Sequence, residues 1–307
     1  MPDTPSIAIV GAGATGSYYG ARLALAGFNV RFLMRRDREH VRRHGLTLRE
    51  QDATRRLRPA AVFGRPEEIG AVDIVLITLK TTGNAGLPRL LPPLLGPHTA
   101  VVTLQNGLGN EEQLAALLGA DRVLGGVCFI GVVRAGPGEL VGFRTPGAIQ
   151  LGEFGRTAGE RAQALAGCFE RAGVNCRTVD RLAEARWRKL IWNVPFNGLS
   201  ITAGGLSTDR LLADPALAAE VRALMEEVAA AGRHLGYDIP EAVVQSQIDL
   251  THTMGAYQPS SLVDFLAGRE IELEAIWREP LRRAQAAGFP MPRLAKLQAR
   301  LRTVAQP

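Results

Sequence analysis

The residues with the clearest capacity for chemistry lie at 187–197, around one of only three lysines in a chain with 33 arginines. Lys189, Asn193 and Asn197 fall at positions i, i+4 and i+8, so on a helix their side chains share one face. The residues between them are mostly apolar, and lysine, unlike arginine, readily loses its proton when it is desolvated. The spacing predicts a proton donor with two amides beside it. A lysine that extends to the surface, with the asparagines in capping or turn positions, is the alternative.

A glycine-rich turn near the start of the chain has the pattern G-x-G-x-x-G. Its six residues are Gly11, Ala12, Gly13, Ala14, Thr15 and Gly16. The turn follows an apolar strand predicted at 7–10 and opens a helix. Its glycines let the backbone approach a pyrophosphate, which the N terminus of the helix stabilises. This placement predicts a dinucleotide-binding site, whereas a turn that only connects strand and helix is the alternative.

The end of the second predicted strand, at 30–34, indicates which dinucleotide binds. NAD sites usually have Asp or Glu about 20 residues after the first glycine, where the carboxylate binds ribose hydroxyls. This chain has Arg35 and Arg36 there, and two guanidinium groups suit a 2′-phosphate. Asp37 follows at once and is interpreted as the cap of the next helix. The pattern favours NADP(H), and two arginines that only cover the surface are the alternative.

The order of predicted elements divides the chain into two domains. Residues 1–180 alternate strands and helices, as in an α/β Rossmann-type doubly wound domain, with buried parallel strands at 72–79 and 100–104. From 181 to 307 only helical periodicity remains, including a helix over 271–287. We therefore predict an NADP(H)-binding domain over 1–180 and an all-α substrate-binding and catalytic domain over 181–307.

Two polar residues follow strands at the carboxyl edge of the predicted sheet, where ligands of such sheets usually bind. Lys80 comes directly after the strand at 72–79, and Asn106 lies in the loop after the strand at 100–104. We expect Lys80 to contact a phosphate or ribose of the cofactor, and Asn106 to lie between nicotinamide and substrate. For Asn106, which precedes a glycine, a plain turn is the alternative.

Composition argues against several other classes of function. The net charge of +6 is spread over short arginine groups, so we expect an anionic small molecule as partner and no nucleic acid. The five histidines are scattered and the three cysteines lack metal-ligand spacing, so no metal site is predicted. Neither a membrane helix, which needs ~18 apolar residues, nor a signal peptide is recognised, so a cytoplasmic protein without a membrane partner is expected.

Together these motifs resemble the ketopantoate reductase (2-dehydropantoate 2-reductase) family along nearly the whole chain. The resemblance rests on the glycine-rich turn, on the segments 78–80, 105–109 and 187–197, and on the spacing from Ser260 to Glu272. It implies an N-terminal Rossmann domain, a helical C-terminal domain and an NADP-dependent oxidoreductase acting on CH–OH groups.

The resemblance also implies roles for individual side chains. Lys189 would be the general acid, and Glu272, the second catalytic residue, would contact hydroxyl groups of substrate or cofactor. Substrate contacts would come from Asn106, Asn193, Asn197, Ser207 and Ser260. Cofactor contacts outside the glycine-rich turn would come from Arg35, Arg36, Lys80, Asn106 and Glu272.

The reaction implied is NADPH-dependent reduction of a 2-keto acid, with ketopantoate, a precursor in pantothenate and coenzyme A biosynthesis, as the leading substrate. The chain departs from the family pattern at Ser207, at Ser261 and Val263, and after Glu272, where residues line or flank the acyl pocket. A paralogous enzyme for another 2- or 3-hydroxy acid and a non-catalytic NADP(H)-binding regulator are therefore alternatives. Lys189 favours an enzyme, because a regulator needs no proton donor. A homodimer is left open.

Overall fold

The structure is a computed structural model that describes residues 2–51 and 53–304, without the side chains of Arg144 and Thr145. The chain forms two compact units. The first, here called the sheet unit, comprises Met1–Gln105 and Asn110–Leu182, and the second, the helical unit, comprises Asn106–Gly109 and Ala183–Pro307. The short segment Asn106–Gly109 thus groups with the helices that follow it much later in the chain. The predicted domain boundary between 180 and 181 stays a prediction.

The sheet unit contains a ten-stranded sheet among its described residues. Its strands are β1 Ser6–Val10, β2 Asn29–Leu33, β3 Leu46–Arg49, β4 Thr54–Leu57, β5 Ala61–Phe63, β6 Val72–Ile77, β7 Leu95–Thr103, β8 Val123–Gly136, β9 Glu139–Glu153 and β10 Asn175–Thr178. They lie in the order β4-β3-β9-β8-β7-β6-β1-β2-β5, and β10 also pairs with β9.

Six of these strands form the parallel part of the sheet, in the order β5-β2-β1-β6-β7-β8. When the six strands are numbered along the chain, this is the order 3-2-1-4-5-6 of a Rossmann fold. The strand order changes direction between β1 and β6, although the two strands are parallel. The side chains of β1 from Ile7 to Val10 are fully buried, as expected of a strand covered on both faces. The predicted α/β Rossmann-type domain is confirmed.

Helices cover this sheet. They are α1 Ala14–Leu25, α2 Arg38–His44, α3 Pro66–Ile69, α4 Leu87–Leu90, α5 Asn110–Leu118 and α6 Glu160–Arg171. Short 3₁₀ turns occur at Thr81–Gly86, Pro92–Leu94 and Ala120–Arg122. The sheet is antiparallel where β9 pairs with β8, and these two strands form a long hairpin.

A buried carboxylate ties α1 to the β3–β4 hairpin. Glu50 accepts hydrogen bonds from Arg22 Nη1 at 2.7 Å, from Arg55 Nε at 2.8 Å and from the hydroxyl of Tyr18. Burial alone raises the pKa of Glu50, but the hydrogen bonds from Tyr18 and Arg55 and the charge of Arg22 outweigh it, so its pKa lies below the ordinary value. Glu50 is therefore charged in the folded protein at neutral pH.

Replacing Glu50 with glutamine is expected to lower the free energy of unfolding by about 1.5–3 kcal/mol at pH 7. Because folding lowers the pKa of Glu50, its contribution is full above the unfolded-state pKa and is lost as pH falls through the folded-state pKa. The difference between variant and unmodified protein should therefore shrink in acid, as measured by urea unfolding across pH. Glu139→Gln, which breaks an exposed pair with Arg49, is the matched control. A pH-independent difference would contradict this account.

The helical unit contains no strand among its described residues, which confirms the predicted all-α domain. Its helices are α7 Leu182–Thr202, α8 Thr208–Ala213, α9 Pro215–His234, α10 Val243–His252, α11 Ser260–Leu266, α12 Glu279–Ala286 and α13 Pro292–Val304. A π-helical segment, Glu274–Arg278, called the π turn below, directly precedes α12. The sequence predicted one helix over 271–287, so the π turn is an addition. No helix of the described chain combines the length and apolar character needed to cross a membrane.

Candidate active site

The glycine-rich turn lies between β1 and α1, as predicted. Gly11 has φ +103°, and a Cβ there would lie 2.8 Å from Leu79 Cα. A Cβ at Gly16 would lie 2.6 Å from the carbonyl oxygen of Gly11, so both glycines are required by close packing. A Cβ at Gly13 would meet only the carbonyl oxygen of Gly11, at 3.9 Å, and no side chain caps the N terminus of α1. The first backbone N–H groups of α1 can therefore bind an anion such as a pyrophosphate.

A cavity of about 470 Å³ lies at the end of β2 in the sheet unit, and Arg35 is among the residues that line it. Arg36 is exposed next to it, and neither arginine bonds to another residue that the structure describes. Arg38 and His40 also line the cavity. The sequence interpretation missed both, although they follow the arginine pair at once on α2 and carry the donors that a phosphate binds.

Asp37 occupies the N-cap position of α2, but its side chain does not cap the helix. The residue has φ +57°, and its carboxylate pairs with Arg134 of β8. The predicted capping role is therefore wrong, because a cation from a distant strand takes the carboxylate. The pairing neutralises an acid two residues after Arg35 in the chain, which removes a charge that would repel a phosphate.

A chain of buried amides holds the loop that carries Lys80. Gln105 Nε2 donates to the carbonyl oxygen of Leu79 at 2.9 Å and to Asn84 Oδ1 at 2.6 Å. Asn84 in turn donates to Asn110 Oδ1 at 3.2 Å. Lys80 itself is exposed at the start of the following 3₁₀ turn. The sequence interpretation missed this positioning role of Gln105, although Gln105 directly precedes Asn106.

Lys189, Asn193 and Asn197 lie on α7, which extends beyond residues 187–197 at both ends and continues through Pro195. Lys189 is half-buried, and its Nζ donates to Asn106 Oδ1 at 2.6 Å, although the two residues are 83 positions apart. The flanking residues Leu190 and Ile191 are buried. The structure thus joins two residues that the sequence suggested separately.

Asn197 links α7 to the start of α11. The side chain is 1% exposed, its Nδ2 donates to the carbonyl oxygen of Asn193 at 3.1 Å, and its Oδ1 accepts from the backbone N–H of Ser261 at 2.9 Å. Ser260, half-buried, is the first residue of α11. Both polar atoms of the Asn197 amide therefore bind the protein, and the direct substrate contact expected from the sequence stays a prediction.

Two further predicted residues belong to the helical unit. Glu272 is 2% exposed and precedes the π turn, so its carboxylate is shielded from solvent. Ser207 is the N-cap residue of α8, and its hydroxyl donates to Asp209. Within the described chain no hydrogen bond joins Ser207 to Lys189 or to Asn193.

Metal-binding side chains are not grouped in the part of the chain that the structure describes. No set of three or more His, Cys, Asp or Glu residues there could hold an ion. Cys128, Cys168 and Cys176 are buried thiols, and burial raises the pKa of Cys176 to about 12. Such a thiol stays protonated and is neither a nucleophile nor a ligand near neutral pH.

Family models match most of the chain. The model described as Ketopantoate reductase PanE/ApbA matches residues 7–156, and its C-terminal counterpart, Ketopantoate reductase PanE/ApbA C terminal, matches residues 181–305. A 2-dehydropantoate 2-reductase of Nostoc sp. is 37% identical over 292 residues, which are 94% of this chain and 91% of the relative.

Solved structures show the same similarity. A 2-dehydropantoate 2-reductase from Geobacter metallireducens is 42% identical, with a TM-score of 0.94 over 97% of this chain and 99% of the other. A D-mandelate dehydrogenase solved with NADH and anilino(oxo)acetate shares the fold at 22% identity, with a TM-score of 0.88 over 98% of each chain.

Proposed function

Because the chain belongs to the ketopantoate reductase family, and so to the nicotinamide-dependent oxidoreductases that act on CH–OH groups, we propose that it reduces a 2-keto acid with NADPH. Ketopantoate is the leading substrate, and pantoate for pantothenate and coenzyme A biosynthesis is the product. The observation that carries the proposal is the half-buried ammonium group of Lys189, bound to Asn106 beside apolar residues of α7. This group can give a proton to an oxygen that gains negative charge.

Reduction of the keto group needs a hydride at the carbonyl carbon and a proton at the carbonyl oxygen. A bound nicotinamide supplies the hydride. We assign the proton to Lys189 Nζ, whose charge also polarises the carbonyl group before transfer. Asn106 orients Nζ through its Oδ1, and Lys189 regains its proton from solvent. General acid catalysis of this kind contributes about 10²–10⁴-fold to the rate.

The sheet unit offers groups that fit NADP(H). The uncapped N terminus of α1, with the turn at 11–16, would hold the pyrophosphate. Arg35 and Arg36 would hold the 2′-phosphate, because their exposed guanidinium groups lie at the end of β2 and Arg134 neutralises the neighbouring Asp37. Lys80 would contact a phosphate or a ribose hydroxyl.

The helical unit offers groups that fit a 2-keto acid. We propose that Asn193 and Ser260 donate hydrogen bonds to the substrate beside Lys189. Both are neutral, so they bind a carboxylate or hydroxyl without opposing the charge of Lys189. Asn197 would fix their spacing, since it bonds to the carbonyl oxygen of Asn193 and to the N terminus of the helix that carries Ser260.

Glu272 and Ser207 complete the proposed substrate contacts. The carboxylate of Glu272, which is 2% exposed, would accept a hydrogen bond from a hydroxyl of substrate or cofactor. Ser207 would contact the end of the acyl chain, where its hydroxyl would have to exchange its bond to Asp209 for one to the substrate.

Among 2-keto acids, ketopantoate is expected to give the highest kcat/KM with NADPH. The departures from the family pattern at Ser207 and after Glu272 lie where the hydroxyl-bearing end of ketopantoate would bind, so the acyl group is the part of the proposal that the panel must test. The measurement is NADPH oxidation at 340 nm across a panel of 2-keto acids of graded size and polarity, with product formation as a check. A higher kcat/KM for a bulkier or more apolar acid would identify a paralogous reductase. NADPH binding without reduction of any acid would favour the non-catalytic regulator.

A further inference from the structure

The π turn leaves one backbone carbonyl available for a contact outside its own helix. Its hydrogen bonds run from residue i+5 to residue i, as from the N–H of Glu279 to the carbonyl oxygen of Glu274. The next bond of this series would join residue 280 to Ala275, but residue 280 is a proline and has no N–H. The carbonyl oxygen of Ala275 instead accepts the backbone N–H of Leu108 at 2.9 Å.

The loop Asn106–Gly109 lies close against this carbonyl because residue 107 is glycine. Gly107 has φ +81°, and a Cβ there would overlap the carbonyl oxygen of Ala275 and lie 2.6 Å from Ala275 Cβ. Backbone atoms cannot give way as the end of a flexible side chain can. Leu108 anchors the same loop, since its side chain is 5% exposed within the core of the helical unit.

Both partners of the Lys189–Asn106 hydrogen bond are attached to the π turn. Asn106 is attached through the neighbouring Leu108, which bonds to Ala275. The helix that carries Lys189 is attached through Trp277, a fully buried residue of the π turn whose Nε1 donates to the carbonyl oxygen of Val194 at 3.0 Å. π-Helical segments inside α-helices often occur at functional sites.

We propose that the π turn sets the position of Asn106 relative to Lys189, and that Gly107 is a positioning residue for the proton transfer. Gly107 acts by letting the loop reach the Ala275 carbonyl, so that Asn106 Oδ1 holds the ammonium group of Lys189. The effect of Gly107 on catalysis rests on the proposed function. The effect of Gly107 on the position of Asn106 concerns only contacts within the helical unit.

The test compares Gly107→Ala with Gly109→Ala. Gly109 lies in the same loop with a similar backbone strain, φ +91°, but a Cβ there would meet only the Glu279 side chain, at 3.6 Å. Crystal structures of both variants should show that the Lys189–Asn106 hydrogen bond is lost in Gly107→Ala and kept in Gly109→Ala. The kcat of Gly107→Ala should fall about tenfold to a hundredfold further than that of Gly109→Ala, with the KM for NADPH nearly unchanged.

A double-mutant cycle tests whether Gly107 acts through Asn106. In an Asn106→Ala background the hydrogen bond to Lys189 is already absent, so Gly107→Ala should lower kcat no further. The proposal would be overturned if the two substitutions lowered kcat by independent factors that multiply in the double variant. An intact Lys189–Asn106 hydrogen bond in the Gly107→Ala crystal structure would also overturn it. If the unmodified protein reduces no 2-keto acid, the proposed function fails, and the crystal structures still decide whether the π turn positions Asn106.

Discussion

Replacing Lys189 with alanine is expected to lower kcat by at least about 10²-fold, because the variant lacks the general acid. NADPH binding should stay near normal, since the proposed cofactor contacts of the sheet unit are untouched. Lys189→Arg should restore little activity, because a guanidinium group does not give up its proton in the working pH range. The measurements are steady-state kinetics with NADPH and the best keto acid, together with NADPH titration by fluorescence.

The pH dependence of kcat provides a second readout of the same residue. An acid catalyst is active only while protonated, so the rate of the unmodified protein should fall as rising pH removes the proton from Lys189. This basic limb should be absent in Lys189→Ala and Lys189→Arg. Lys296→Ala, which removes an exposed lysine of α13, is the matched control and should change neither kcat nor its pH profile. A folded Lys189→Ala protein within a few-fold of normal turnover would show that the lysine is structural.

The unmodified protein is expected to prefer NADPH strongly over NADH, and the double variant Arg35→Ala with Arg36→Ala is expected to lose most of that preference. Each charge-assisted contact with the 2′-phosphate should contribute about 1.5–3 kcal/mol, which is roughly a tenfold to hundredfold effect on the KM for NADPH. The KM for NADH should change little, because NADH has no 2′-phosphate. Arg38, which lines the same cavity, is left in place and should sustain a residual preference.

The control for the arginine pair is the double variant Arg42→Ala with Arg43→Ala. These arginines are exposed on α2 next to the proposed site, but neither lines the cavity at the end of β2. Their removal lowers the net charge by the same amount and should shift the KM values for NADPH and NADH only slightly and in parallel. Equal efficiency of the unmodified protein with both cofactors would contradict the assignment of Arg35 and Arg36.

The parallel sheet and the glycine-rich turn could be predicted because their causes are local. Buried parallel strands are continuous apolar runs, and the glycines at positions 11 and 16 reflect close packing between adjacent elements. The partner of the Asp37 carboxylate could not be predicted in the same way. Its position matches an N-cap, but its partner Arg134 comes from a strand far along the chain.

The helical periodicity of 271–287 predicts a helix but does not distinguish π from α geometry. The carbonyl oxygen of Ala275 in the π turn accepts the backbone N–H of Leu108, and the sequence does not indicate that residue 108 lies nearby. The common face of Lys189, Asn193 and Asn197 was predictable, because it follows from their spacing on a helix. The partners of these side chains were not, since they depend on which distant segments fold against α7.

The central claim is that Lys189 supplies the proton when a 2-keto acid is reduced by NADPH. The most direct test is the single-turnover rate of NADPH oxidation with enzyme in excess over cofactor, because this rate reports chemistry without product release. We predict that Lys189→Ala, folded and saturated with NADPH and keto acid, shows a single-turnover rate at least about 10²-fold below that of the unmodified protein. A single-turnover rate equal to that of the unmodified protein would contradict the claim.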